Sequence, residues 1–175
     1  MTESLNQLRG ITMALSPEGA VDEMIGRHYD EYTARFTDIG TASGAQTEET
    51  ILKLDANRYP NGARLVAAYW GPAVAVTADD TNYKTLTVRK MTSAGGSATT
   101  IASSTTKITG GTGDLAANQL AAATVTTASD ANILAAGSLI TYVIGLDAGN
   151  TGVAMNASTA VTKGNSRVVV VLEAL

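Results

Sequence analysis

The sequence predicts a mainly β protein: a β-sandwich or jelly roll of about eight strands, preceded by an N-terminal arm that contains one short helix. From residue 51 onward, apolar and polar residues alternate with the period of two that is typical of strands. Clusters of Gly, Thr, Ser, Ala and Asn separate the apolar runs, and no helix-length pattern alternates with them, which disfavours an α/β fold. We therefore divide the chain into an arm, residues 1–50, and a β-sandwich domain, residues 51–175.

The arm carries a helix-start signal in Ser16-Pro17-Glu18-Gly19, where Ser is a good N-cap and Pro suits the first helical position. An apolar and aromatic stripe at helical spacing follows, made of Val21, Met24, Ile25, His28 and, one turn later, Tyr32. A helix this short cannot bury its own stripe. The predicted partner-contact residues are accordingly Ile25, His28, Tyr29, Tyr32 and Phe36.

The β domain divides into predicted strands at residues 51–54, 64–70, 73–77, 83–91, 98–105, 121–127, 139–146 and 167–172. The pattern is clearest at 83–91, where Leu86 and Val88 alternate with threonines in the manner of a half-buried strand. Turn residues such as Gly71-Pro72 and Gly95-Gly96 end the runs.

The last predicted strand is apolar on both faces. This pattern indicates a place in the centre of a sheet or against a neighbouring subunit. The second alternative makes three residues candidate oligomer contacts: Val168, Val170 and Leu172.

Composition excludes several classes of function. The net charge of −4 and the lack of any Lys/Arg cluster argue against nucleic-acid binding, and the absence of cysteine excludes disulfides and thiolate metal sites. We expect neither a signal peptide in the first fifteen residues nor a membrane span at residues 168–172, which are too few for one. We expect a soluble protein made in a cytoplasm, with no membrane, nucleic-acid or cofactor partner.

Residues able to do chemistry are few. His28 is the only histidine, and its place on the helical stripe favours packing over catalysis. The oxygen ligands offered by Asp79, Asp80 and Asn82 lack the spacing of a calcium loop and are equally explained by a turn. The loop at residues 146–152 superficially resembles a phosphate loop of the actin/hexokinase-like ATPases, but a hairpin loop explains it better in so small a β domain. We therefore expect a protein that is not an enzyme.

Residues 80–91 (DTNYKTLTVRKM) begin an ordered series of features. A turn at Ala94-Gly95-Gly96, a Thr/Ser strand, a Gly-rich loop and residues 131–142 (ANILAAGSLITY) follow. Over roughly the last hundred residues this order is similar to that of β-sandwich or jelly-roll proteins on the virions of tailed bacteriophages. These include capsid cement (decoration) proteins and the bases of head fibres.

The resemblance implies a non-enzymatic virion protein that binds and stabilises the outer surface of a capsid. Its partners would be the major capsid protein and two further copies of itself in a homo-trimer, and the arm would clip neighbouring capsid subunits. One alternative is a tail- or head-fibre tip that binds host-surface glycan through an exposed aromatic cluster drawn from Tyr59, Tyr69, Trp70 and Tyr83. Another is a small polysaccharide hydrolase, which requires two carboxylates converging in a cleft.

Overall fold

The computed structural model describes residues 29–36, 48–73, 75–80, 83–146 and 166–175. Within these ranges the chain forms nine strands and one 3₁₀ turn, Ala128–Asp130. The strands are β1 (Tyr29–Phe36), β2 (Glu48–Lys53), β3 (Ala63–Gly71), β4 (Lys84–Met91), β5 (Thr99–Thr105), β6 (Ala121–Val125), β7 (Ile133–Leu134), β8 (Leu139–Leu146) and β9 (Ser166–Ala174). The prediction of a mainly β fold is confirmed.

All strand pairs are antiparallel, and the strand order is β1-β9-β3-β6-β5-β4-β8-β2, with β7 paired to the start of β3. Strand β6 turns the corner between two sheets, because residues 121–123 pair with β3 while residues 124 and 125 pair with β5. The end strands β1 and β2 approach each other. The result is a nearly closed, sandwich-like barrel with the core inside.

Seven predicted strands overlap observed ones: those at 51–54, 64–70, 83–91, 98–105, 121–127, 139–146 and 167–172. The predicted strand at 73–77 is wrong. There the chain makes a single bridge between Val76 and Leu115, through two backbone hydrogen bonds of 2.8 and 2.9 Å. Beyond the bridge, the Asp114 carboxylate takes the Ala78 N–H instead of a backbone carbonyl, so the ladder does not continue.

The extension of the arm helix to Tyr32 is also wrong, because residues 29–36 form β1 and pair with β9 along their whole length. The same residues satisfy a period of two, with Asp30 and Tyr32 more buried than their exposed neighbours Glu31 and Thr33. A long-range strand partner overrides a local helical pattern that has nothing to pack against. The sheet thus includes part of the segment predicted as an arm, while Ile25, His28 and the predicted helix start lie outside the described residues.

The core is built from the inward residues of both sheets. Trp70, Leu86 and Leu172 are among its fully buried side chains. Val168 and Val170 have no exposed surface either, so the central placement of β9 is the one observed. The side chains of the three predicted oligomer contacts are thus enclosed within one chain, where each contributes roughly 1.5–3 kcal/mol by burial.

Candidate interaction surfaces

Most aromatic residues of the β domain lie inside it. Tyr59, Trp70 and Tyr83 are 2%, 1% and 8% exposed, and Tyr69 is half-buried. The Lys107 ammonium lies 4.2 Å from the centre of the Tyr83 ring. These four residues therefore do not form the exposed platform that stacking on sugar rings would require.

The predicted contact residues of β1 do not share a face. In a strand, successive side chains point to opposite sides of the sheet. Tyr29 is 50% exposed on the outer side, whereas Tyr32 is half-buried and packs against the core. Phe36 is the last residue of β1. Of these two tyrosines, Tyr29 is the one placed with its ring in solvent.

A polar cluster on the inner side of β1 holds this strand to the turn between β2 and β3. The Tyr59 hydroxyl and the Arg58 guanidinium both donate to the Asp30 carboxylate, which is 8% exposed. The Tyr32 and Tyr59 hydroxyls are 2.9 Å apart. Two backbone hydrogen bonds, from Tyr59 to Asp55 and from Gly62 to Tyr59, shape the turn that presents these donors.

Protonation equilibria agree with a structural role for this cluster. Burial, followed by the hydrogen bond to Asp30, raises the pKa of Tyr59 above its ordinary value, so the phenol keeps its proton. The hydrogen bond to Asp30 raises the pKa of Arg58 as well. Arg58 therefore stays charged and Tyr59 stays protonated beside the Asp30 carboxylate. Neither side chain is suited to accept a proton as a general base.

Two glutamates fasten β2 to the neighbouring strands β8 and β4 of its own sheet. Glu48 accepts a hydrogen bond from the Thr141 hydroxyl at 2.6 Å and pairs with Arg89 at 3.4 Å. Glu49 accepts a hydrogen bond from the hydroxyl of Tyr142, whose pKa is raised by burial. These acids serve to hold strands together, which leaves fewer carboxylates for catalysis.

The outer surface of β1, β9 and β3, which we call the β1–β9–β3 outer face, has an apolar centre. The strand register places Thr33 opposite Val169, and Val169 opposite Tyr69. Val171 and Ala67 form the next apolar pair along the same two strands. Val169 is 4% exposed and the other apolar residues of this centre are half-buried, so the apolar surface that the centre presents to solvent comes from Tyr69, Val171 and Ala67.

Charged residues flank this centre at both ends. At one end Arg35 lies directly opposite Arg167, so that two cations are neighbours across β1 and β9. At the other end Glu31 is exposed, and Arg64 pairs with Glu173 at 3.4 Å. This arrangement is not evident from the sequence, because it depends on pairing between strands far apart in the chain. Its local signal is the alternation of Tyr29, Glu31, Thr33 and Arg35 with the residues between them.

The other sheet presents a face rich in hydroxyl groups. Thr85 and Thr87 of β4 lie opposite Thr105 and Ser103 of β5, and Ser103 also lies opposite Thr124 of β6. Cross-strand pairs of this kind stabilise a sheet through side-chain contact and hydrogen bonding. The face is uncharged at these positions, and its short side chains permit close approach of another surface.

An open groove of about 540 Å³ lies at one end of the barrel. Lys90 reaches across it and donates to the Ile133 carbonyl at 2.7 Å. Ser129 and Asp130, two consecutive residues with φ of 51° and 54°, lie beside it, and Asp130 is the one acid among the described residues that line it. A hydrolase with paired carboxylates needs a second acid, which this groove does not provide.

Asp80, one of the three candidate calcium ligands, has another use. The Asp80 carboxylate accepts hydrogen bonds from the backbone and the hydroxyl of Thr109, at 2.8 and 2.9 Å. These bonds lower the pKa of Asp80. Among the described residues no three acids, histidines or cysteines group as metal ligands. Asn82 and the loop from 147 to 152 lie outside the described residues.

In the part of the chain that the structure describes, no helix is both long and apolar enough to cross a membrane. No protein-family model matches the chain, and no curated protein does either. Among solved structures, the chain is similar to one from the cyanophage Pam1 capsid asymmetric unit, with 20% identity and a TM-score of 0.42. The match covers 86% of this chain and 88% of the other. At that TM-score the likeness supports no statement about function.

Proposed function

We propose that this chain is a non-enzymatic structural protein of a tailed-bacteriophage virion, which binds the outer surface of the capsid as a cement protein. The proposal begins from the order of features in residues 80–142. Two observations on the described residues support the proposal. Buried acids such as Asp30 hold strands together, and each of the two sheets has a broad outer face. Such faces suit repeated contacts on a lattice.

The major capsid protein is the proposed partner, together with two further copies of this chain in a homo-trimer. Residues 1–28 are proposed as the arm that contacts neighbouring capsid subunits, with Tyr29 at its junction with the barrel. An arm of this kind loses conformational entropy when it binds, and many copies on a symmetric shell offset that loss. The function requires no cofactor.

The arm is tested by a deletion that ends before β1. Removal of residues 1–28 leaves all nine strands, whereas removal of residues 1–50 would also take β1 and the start of β2. We expect the shortened protein to keep its thermal unfolding transition and to lose most of its co-sedimentation with capsids. Those capsids would be assembled from the major capsid protein of the phage whose genome carries this chain. Undiminished co-sedimentation of the shortened protein would exclude the arm as the attachment element.

Glycan recognition by a fibre tip is the competing function. It receives no support from the aromatic residues of the β domain, three of which are buried. A glycan array probed with the purified protein separates the two functions, because a cement protein is expected to give no signal. Specific binding to an envelope saccharide, without binding to capsids, would favour the fibre tip.

A further inference from the structure

The β1–β9–β3 outer face carries a pair of cations that nothing in the described structure compensates. Arg35 and Arg167 are direct cross-strand neighbours, and like charges in such positions destabilise a sheet. Arg167 donates to the carbonyl of Asn118 at 3.5 Å, and among the described residues neither arginine has an ion pair with a carboxylate. An anionic group on another molecule could therefore neutralise Arg35 and Arg167.

The same face carries a matching anion at a symmetric position. Glu31 and Arg35 lie two residues on either side of Thr33, and all three point outward. Glu31 is exposed and has no cationic partner among the described residues. At about 3.3 Å per residue, Glu31 and Arg35 are each roughly 7 Å from Thr33. The two outward charges of β1 are therefore opposite in sign and equally spaced about Thr33.

We propose that a second copy of this chain packs face to face on the β1–β9–β3 outer face. The two-fold axis runs along the cross-strand row Thr33, Val169 and Tyr69. Rotation about that axis reverses the direction of β1, so each Glu31 carboxylate meets Arg35 and Arg167 of the second copy. Two such charge clusters form, one on each side of the row Thr33, Val169 and Tyr69, and Val171 lies beside Glu31 within each of them.

A second copy fits this surface better than an unrelated partner does, because the surface is complementary to itself. Isologous contacts require each patch to meet its own copy, and opposite charges spaced equally about an axis satisfy that requirement. Charge pairs fix the register and orientation, while the half-buried Tyr69 and Val171 supply the apolar contact. The contact joins chains in pairs, so the three-fold association proposed above would use a different surface and is tested separately.

Charge reversal tests this contact on the full-length protein. Glu31→Arg and Arg35→Glu each place like charges in both clusters, and each should weaken association about tenfold or more. The double variant Glu31→Arg/Arg35→Glu restores complementarity between positions 31 and 35 and should recover much of the association. Lys53→Glu, a charge reversal in the exposed part of β2, is the matched control and should leave association unchanged.

Molar mass by light scattering and sedimentation equilibrium gives the readout. We expect the wild-type mass to be an even multiple of the chain mass, and each single variant to halve it at the same concentration. Arg35→Glu also replaces the opposed arginines with an opposite-charge pair, so we expect an unchanged far-UV circular dichroism spectrum, which would exclude misfolding as the cause. A wild-type mass that is one or three chains, or a mass that charge reversal leaves unchanged, would overturn the proposal.

Discussion

At the scale of single residues, the buried polar groups of this protein serve mainly to join distant segments. Asp30 shows this most clearly, since its carboxylate receives the Arg58 guanidinium and the Tyr59 hydroxyl from the turn before β3. A buried carboxylate is tolerated only where donors surround it. The cluster therefore explains why β1 stays in the sheet although it stands at the end of the strand order.

Replacement of Asp30 by Asn tests that role. An amide is neutral and offers a single acceptor oxygen, so the charge-assisted hydrogen bonds from Arg58 and Tyr59 cannot both be kept. We expect the free energy of unfolding in urea to fall by about 2 kcal/mol. Asp130→Asn, on an exposed residue in a left-handed conformation that Asn adopts readily, should change it by less than about 0.5 kcal/mol. Equal effects of the two substitutions would show that Asp30 does not fasten β1.

Asp80 supplies a prediction about pH. The hydrogen bonds from Thr109 lower its pKa from the ordinary 3.8, so the folded state binds the proton less readily than the unfolded state. The resulting stabilisation is complete above the unfolded pKa and is lost as the pH falls through the folded one. Carboxyl chemical shifts followed by NMR should show the pKa of Asp80 rising toward its ordinary value in Thr109→Val. No change in that variant would mean that the Thr109 hydroxyl does not contribute.

At the scale of elements, the turn from β2 to β3 depends on a close backbone approach. Gly62 has φ of +90°, and a Cβ atom added there would lie 2.3 Å from the Leu134 carbonyl oxygen in β7. Gly95 has a similar φ of +74° but nothing within 4 Å of its added Cβ. The two glycines separate the cost of a left-handed backbone from the cost of a clash.

We expect Gly95→Ala to lower the free energy of unfolding by about 1 kcal/mol, the cost of a left-handed conformation alone. Gly62→Ala should lower it by about 3 kcal/mol or more, because β7 must also move away from β3. Urea unfolding of the two variants gives the comparison. Similar losses would indicate that the approach of Leu134 to Gly62 is not close in solution.

Local patterns were enough to predict the strands that carry a strong alternation of their own. β4 is the best example, with Leu86 and Val88 inside and threonines outside. β1 was not predictable in this way, because its residues fit both a helical and a strand period. Its pairing with β9, 130 residues or more further along the chain, decides between the two. The proximity of Arg35 and Arg167 could not be predicted from the sequence either, because it depends on the register between β1 and β9.

At the scale of the whole molecule, two sheets joined by β6 nearly close on themselves, with β1 and β2 as the end strands. This arrangement leaves few unpaired strand edges and two broad outer faces, one apolar with charged ends and one lined by hydroxyl groups. We propose the first face as the contact with a second copy of the chain. We propose residues 1–28 and the surface around Tyr29 as the contact with the capsid.

The most direct test of the proposed function is saturation binding to capsids. Purified full-length protein would be titrated onto capsids assembled from the major capsid protein of its phage, and the pelleted amounts of both proteins would be measured. The account predicts binding that saturates at a fixed ratio of this chain to capsid subunits, and capsids that withstand heating better once saturated. Protein that stays in the supernatant at every concentration, with capsid stability unchanged, would contradict the assignment of a cement protein.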